Sequence, residues 1–98
     1  MEFTATTQIA TGSEKQIAWA TDIRARVINE INAYIAESMA KHAAAFAALT
    51  DEQRAQIDAD RARAQAAIDA KTDARWWIND ARHMSGKSVM SSAANGTL

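Results

Sequence analysis

The stretch that decides the fold is residues 13–46, which read SEKQIAWATDIRARVINEINAYIAESMAKHAAAF. It opens with a capping box, in which the Ser13 hydroxyl accepts a hydrogen bond from the Gln16 amide and the Gln16 side chain reaches back to Ser13. Apolar side chains then recur at steps of three and four residues, which is the period of a helix. They are Ile17, Ala20, Val27, Ile28, Ile31, Tyr34, Ile35 and Met39. The pattern predicts one long amphipathic helix, whose end between Lys41 and Leu49 carries no Gly or Pro stop signal.

The apolar face of this helix is broad. It covers an arc of roughly 200°, about twice the minimum width for a surface helix. A face this wide must be covered from more than one side, so the later segments are expected to pack on it. Arg24 falls inside the arc, where its stem is expected to lie flat with its head at the rim, unless it pairs with a carboxylate from a later helix. The opposite face is expected to be solvated and carries Lys15, Asp22, Arg26, Asn29, Glu30 and Glu37.

Two further helices are predicted downstream. Thr50 and Gln53 form a second capping box, which opens a helix that runs to about Lys71. Its many alanines would let it approach the first helix closely, and ion pairs from Asp58 to Arg61 and from Asp60 to Arg63 would support it. A short third helix is predicted over residues 74–84, with one face formed by Trp77, Ala81 and Met84.

Both ends of the chain are expected to lie outside the helices. Residues 1–12 alternate in an extended pattern and predict an arm that Phe3 and Ile9 anchor on the helices. Gly86 is expected to follow the end of the third helix, and residues 85–98, rich in Ser, Ala, Gly and Asn, predict a flexible tail. The predicted fold is therefore all-α, a small bundle of one long amphipathic helix packed by two shorter helices over residues 13–84.

Composition excludes several function classes. The 98 residues suffice for one domain, and with no Cys they can form neither disulfides nor thiolate metal sites. The net charge of −1 argues against non-specific nucleic-acid binding through excess positive charge. No apolar run could cross a bilayer and the first residues are no signal peptide, so a cytoplasmic protein without membrane partners is expected. His42 and His83 lie far apart and no catalytic motif is present, so neither an enzyme nor a metal or other cofactor is expected.

Acidic side chains on the second helix are the first candidate binding surface. Asp51, Asp58 and Asp69 project onto one column of that helix, with Glu52 beside them. A row of carboxylates on a rigid helix can engage a basic groove, including one built for phosphates. The alternative interpretation is an ordinary solvated acidic face.

Trp76 is the second candidate, since an exposed indole can stack on nucleic-acid bases while Arg75 and Arg82 contact phosphates. The alternative is that Trp76 and Trp77 supply volume to a core that is short of large side chains.

Two blocks of sequence resemble those of a known group. They are GSEKQIAWA at residues 12–20, followed by Ile23 and Arg24, and DARWWINDAR at residues 73–82. They are similar to small proteins of phages and mobile elements that carry GSEKQ-x-x-WA-x-x-IR near the start and WWID near the end. This sequence departs from that pattern at Asn79, where the group usually has Asp, so any role needing an acid there does not carry over.

The resemblance implies an accessory role in phage–host conflict. It favours a non-enzymatic inhibitor that binds a host protein or protein–RNA complex, most specifically an anti-CRISPR protein that blocks DNA recognition by a guide-RNA surveillance complex, in the manner of a DNA mimic. Two other hypotheses remain open. One is a nucleic-acid-associated helical module, and the other is a homo-oligomeric, antitoxin-like protein whose first helix pairs with its own copy in a homodimer.

Overall fold

The computed structural model describes residues 2–98 and shows an all-α protein, as predicted. Five α-helices follow one another: α1 (Glu14–Lys41), α2 (Ala43–Ala47), α3 (Asp51–Asp69), α4 (Ala74–Asn79) and α5 (Gly86–Asn95). A turn of 3-10 helix, Ala81–His83, joins α4 to α5. The long first helix packed by shorter ones is confirmed, although the shorter helices number four within residues 2–98 instead of two.

The two capping boxes are both present. Ser13 Oγ accepts from the Gln16 N–H at 3.2 Å and Gln16 Oε1 accepts from the Ser13 N–H at 3.0 Å. Thr50 and Gln53 make the same reciprocal pair at 3.1 and 2.9 Å. Each box satisfies N–H groups that have no partner within the helix, so the starts of α1 and α3 are set locally by sequence. The first helix ends at Lys41, and residues 43–47 form the separate helix α2.

The prediction of a flexible C-terminal tail is wrong, because residues 86–95 form helix α5. The Ser85 hydroxyl caps its start by accepting from the Ser88 N–H, and Gly96 ends it with a left-handed φ of 74°. Gly86, expected just after the third helix, is instead the first residue of α5. Val89 and Ala93, one turn apart, are fully buried. Two small side chains suffice here because α5 lies between two other helices.

The position of α5 changes the predicted packing. It packs against both α1 and α3, whereas α1 and α3 hardly contact each other, so the expected close approach of the Ala-rich helix to α1 is not found. Helix α4 covers α1 on another side. The broad apolar face of α1 is thus covered by two neighbours, as its width required. Its buried residues are Ala20, Ile23, Val27, Ile28 and Ile31.

The N-terminal arm runs along this bundle and links α1 to α3. Phe3 and Ile9 are buried, as predicted. Asn32 of α1 holds the backbone of Phe3 with two hydrogen bonds of 2.8 and 3.0 Å. Gln65 of α3 holds the backbone of Thr4 in the same way, at 3.1 and 2.7 Å. One amide on each helix therefore ties the arm across the gap that separates them.

Arg24 and Arg26 of α1 both donate hydrogen bonds to backbone carbonyls of other segments. Arg24 lies at the rim and donates to the Thr7 carbonyl at 2.6 Å, so it pairs with the arm instead of with a carboxylate. Arg26, expected on the solvated face, is half-buried and donates to the carbonyls of Ala81 and Met84 at 3.1 and 3.2 Å. The face of α1 that was predicted to be solvated is therefore partly covered by the segment that leads into α5.

The start of α5 lies directly on the backbone of α1. A Cβ atom added to Gly86 would lie 2.6 Å from the Glu30 Cβ, 2.7 Å from the Val27 carbonyl oxygen and 2.8 Å from the Ile31 nitrogen. Glu30 Oε1 accepts from the Gly86 N–H at 2.9 Å, and Glu30 Oε2 accepts from Arg26 at 2.8 Å. The hydrogen bond from Arg26, followed by the one from Gly86, lowers the pKa of the Glu30 carboxyl below its ordinary value.

Replacing Gly86 with alanine should destabilise the protein, because the atoms that the new methyl group meets belong to the backbone and to a Cβ and cannot rotate away. We expect Gly86→Ala to lower the free energy of unfolding by about 1–3 kcal/mol in urea denaturation, the usual range for overpacking. Ser91→Ala, an exposed position on the same helix, is the matched control and should change it by less than about 0.5 kcal/mol. Equal, small changes in both variants would contradict the close approach.

The Glu30 carboxylate should make stability depend on pH. Its pKa is lower in the folded chain than the ordinary value of 4.5, so its ionised form stabilises the fold above that value and the contribution is lost as pH falls through the folded-state pKa. Glu30→Gln should therefore differ from wild type in urea denaturation at about pH 7 and differ much less at about pH 3. Glu37→Gln, at an exposed position on the same helix, is the control, and a gap for Glu30→Gln that does not narrow in acid would refute this assignment.

Candidate functional site

The acidic column of the second helix divides into two parts in the structure. Asp51, Glu52 and Asp58 are exposed on the N-terminal half of α3, and none of them has an ion-pair partner among residues 2–98. Asp69 lies about 27 Å from Asp51 along the helix, at a rise of 1.5 Å per residue. We call Asp51, Glu52 and Asp58 the acidic surface.

Asp69 is occupied by contacts within the molecule. Its Oδ1 accepts from Gln65 Nε2 at 3.0 Å, and its carbonyl accepts from the Thr7 hydroxyl at 2.8 Å. Because Gln65 also holds Thr4, Asp69 belongs to the set of hydrogen bonds that fastens the arm. Asp51, Asp58 and Asp69 do lie on one side of the helix by its geometry, but the arm contacts the end of the helix that carries Asp69.

The basic residues of α3 leave the acidic surface uncompensated. Arg54 donates to the carbonyls of Phe46 and Ala47 at 3.0 and 3.3 Å, so its charge is directed at the end of α2. Arg63 pairs with Asp60 at 3.4 Å, as predicted, while the pair predicted between Asp58 and Arg61 is not formed. The carboxylates of the acidic surface are therefore exposed, and no side chain within residues 2–98 forms an ion pair with them.

Trp76 and Trp77 have different environments. Trp77 is fully buried and its indole N–H donates to the Lys71 carbonyl at 2.8 Å. Trp76 is half-buried and packs edge-to-face against Trp77, with the ring centroids 4.8 Å apart. Lys71 Nζ lies 5.0 Å from the centre of the Trp76 ring. Trp77 supplies core volume, whereas Trp76 keeps part of its surface accessible.

Arg75 is held by the residue that caps its own helix. Its Nη2 lies 2.9 Å from Asp73 Oδ2, and the Asp73 side chain also accepts from the Arg75 backbone N–H. The side-chain hydrogen bond raises the pKa of Arg75 and lowers the pKa of Asp73. A phosphate would have to compete with this carboxylate, so Arg75 and Trp76 do not form an unoccupied base-and-phosphate platform.

Residues 12–20 and 73–82, the two sequence blocks described above, lie against each other. The Ala74 N–H donates to the Thr11 carbonyl at 2.9 Å, just before the first block. The Arg82 guanidinium lies 5.0 Å from the centre of the Trp19 ring, which joins the second block to the first. Trp19 is 46% exposed. The two blocks therefore contact each other in the fold.

Sequence reasoning missed an apolar cleft. It has a volume of about 420 Å³ and is lined by the C-terminal part of α1, by α3, by α5 and by Phe3 of the arm. We call it the apolar cleft, and the apolar side chains that line it include Tyr34, Ile35, Phe46, Ile57, Ala64 and Met90. The apolar face of α1 was the available signal, because it continues past Ile31 to Met39 and no residue of α1 after Ile31 is buried.

No family model matches this chain, and neither does any curated protein or solved structure. Within residues 2–98, no three His, Asp or Glu side chains are grouped so that they could hold a metal ion. None of the helices in that part of the chain combines the length and the apolar character that crossing a membrane requires. The functional argument rests on the surfaces described above.

The two tryptophans should respond differently to truncation. Trp77→Ala removes a fully buried indole and its hydrogen bond, so we expect a loss of about 3–5 kcal/mol in the free energy of unfolding. Trp76→Ala should cost clearly less, because that ring is already partly solvated. Urea denaturation followed by circular dichroism measures both, and equal losses would contradict the division of roles.

Proposed function

We propose that this protein is a non-enzymatic binding protein whose acidic surface engages a basic surface of a partner. The observation that carries the proposal is the set of exposed carboxylates of Asp51, Glu52 and Asp58 on one rigid helix, with no cation bound to them. Their charge is available to a partner without first breaking an internal ion pair. Lys and Arg side chains of that partner would supply the complementary charge, which favours fast and selective association.

The spacing of these carboxylates suits a groove that normally holds a polyanion. Asp51 and Asp58 lie two turns apart, or about 10 Å along the axis. A nucleic-acid strand also presents regularly spaced negative charge to Lys and Arg. A basic groove that fixes phosphates could therefore accept the acidic surface in their place.

The finer proposal names the class of partner. The similarity of residues 12–20 and 73–82 to small phage and mobile-element proteins supports a role in phage–host conflict within the host cytoplasm. On that basis, we propose an anti-CRISPR protein whose acidic surface occupies the DNA-binding groove of a guide-RNA surveillance complex. The similarity supports the setting, while the acidic surface supports the mode of binding.

The charge of the acidic surface provides the test. The chain is expressed in cells that carry one of a panel of DNA-targeting CRISPR systems, and plaque formation by a targeted phage is counted. We expect the wild-type chain to restore plaques against one system, and the triple variant Asp51→Lys, Glu52→Lys, Asp58→Lys to lose at least 100-fold of that effect, since several charge contacts would be reversed at once.

The matched control carries the same change of charge elsewhere. Asp22, Glu37 and Asp80 are exposed and lie outside the acidic surface, so replacing all three with lysine should leave inhibition intact. Circular dichroism checks that both triple variants stay helical. No restored plaques against any system would contradict the anti-CRISPR assignment, and equal inhibition by wild type and the acidic-surface variant would contradict the binding mode. Salt-sensitive binding of a labelled oligonucleotide by the wild-type chain would favour the nucleic-acid alternative instead.

A further inference from the structure

The apolar cleft exists because α1 and α3 are held apart. The arm and α5 fill the space between these helices only along part of their length. In the space that they leave open, Tyr34 and Ile35 of α1 and Ile57 of α3 line the cleft, and all three are half-buried. These apolar side chains are partly exposed to water. A partner that buried them would release that water, which favours binding.

The cleft continues along α3 into a second depression. This depression has a volume of about 160 Å³ and shares Phe46, Ile57 and Arg61 with the cleft. It adds two apolar residues, Met39 and Leu49, and two charged ones, Arg54 and Asp58. Met39 is 46% exposed. Together the two depressions form an open trough bordered by flexible methionines, a lining that suits partners able to repack against it. Its elongated, open form fits a helix laid into a groove better than a small molecule, which needs to be largely enclosed.

The trough is lined by charges of both signs, with Asp60 and Arg61 in the cleft and Arg54 and Asp58 in the second depression. Arg54 and Asp60 are held by contacts within the molecule, so Arg61 is the guanidinium that an occupant can pair with. Arg61 lines the cleft, the adjoining depression and a third depression beside the arm. Among residues 2–98, Arg61 has neither an ion-pair partner nor a hydrogen-bond partner, because Asp60 next to it is taken by Arg63 and Gln56. Lys87 lies over the ring of Tyr34 at 5.1 Å and adds a second positive charge beside the cleft. A helix that covers Arg61 would strip water from its guanidinium, so that helix must bring a carboxylate.

We infer that the trough formed by the apolar cleft and its neighbouring depression is a docking groove for an amphipathic helix of a partner protein. That helix presents bulky apolar side chains at steps of three and four residues, with an Asp or Glu on the same face that pairs with Arg61. The trough borders the acidic surface at Asp58, which lines the second depression, and the inference does not depend on the proposed function.

A displayed library of helical peptides tests this inference without knowledge of the natural partner. The peptides are about 16 residues long, enough for roughly four turns, and the positions on one face are randomised among apolar, acidic and basic residues. They are selected on the immobilised full-length chain. We expect enrichment of peptides with two or more bulky apolar residues and an acidic residue between or beside them.

Charge reversal at the groove tests the pairing directly. With a selected peptide, fluorescence anisotropy should show at least a tenfold loss of affinity for Arg61→Glu, and replacing the peptide's acidic residue with lysine should restore part of it. Ile57→Asp, which places a charge in the apolar wall, should also abolish binding. Lys15→Glu, at the far end of α1, is the charge-matched control and should bind like wild type. Asp51→Lys should also bind like wild type, because Asp51 belongs to the acidic surface but does not line the trough.

Four results would overturn the inference. The first is a selection that yields no enriched peptide, and the second is a set of peptides whose affinity is the same for wild type and Arg61→Glu. The third is binding of dodecanoate in isothermal titration while no helical peptide binds, which would make the site one for a small amphiphile. The fourth is a dimer in sedimentation equilibrium that Ile57→Asp dissociates, which would make a second copy of this chain the occupant.

Discussion

The whole arrangement depends on the contact between the start of α5 and the backbone of α1. Gly86 lies so close to α1 that any side chain there would collide with Glu30, Val27 or Ile31. The same contact is fixed by the Glu30 carboxylate, which accepts from the Gly86 N–H while Arg26 holds it in place. Once α5 is seated, it covers α1 on one side and offers Val89 and Ala93 on a surface against which α3 packs. Without α5, the third helix would have little to hold it to the first.

The N-terminal arm also connects α1 to α3. Because α1 and α3 hardly contact each other, their separation must be set by what lies between them. Asn32 and Gln65 each make a pair of hydrogen bonds to adjacent residues of the arm, one from each helix. These amides satisfy backbone groups that an isolated extended segment would otherwise leave to water. The arm and α5 therefore act together as spacers, and the apolar cleft is the space between α1 and α3 that they line but do not fill.

Local signals in the sequence were sufficient to predict α1 and α3 but not α5. The two capping boxes and the helical period located the starts of α1 and α3, because those interactions lie within four residues of each other. Helix α5 was missed because its composition resembles that of a flexible tail, and only two small residues of its apolar face are fully buried. Its stability comes from lying between α1 and α3, which is tertiary information. The separation of Asp69 from the acidic surface was unpredictable for the same reason, since it depends on an arm some sixty residues away.

The acidic surface and the apolar cleft both depend on how α3 is positioned relative to α1. The N-terminal half of α3 extends past the region that the arm fastens. Its acidic residues are exposed, Ile57 and Arg61 line the cleft, and Asp58 lies at the border, in the adjoining depression. A single helix thus presents a carboxylate surface and an apolar groove with an unpaired cation. A partner that touched both would need complementary charge of both signs and an apolar ridge between them, a more demanding match than either surface alone requires. Such a match would be lost if α3 rotated or shifted, so the arm and α5 that fix its position also determine what this protein can recognise.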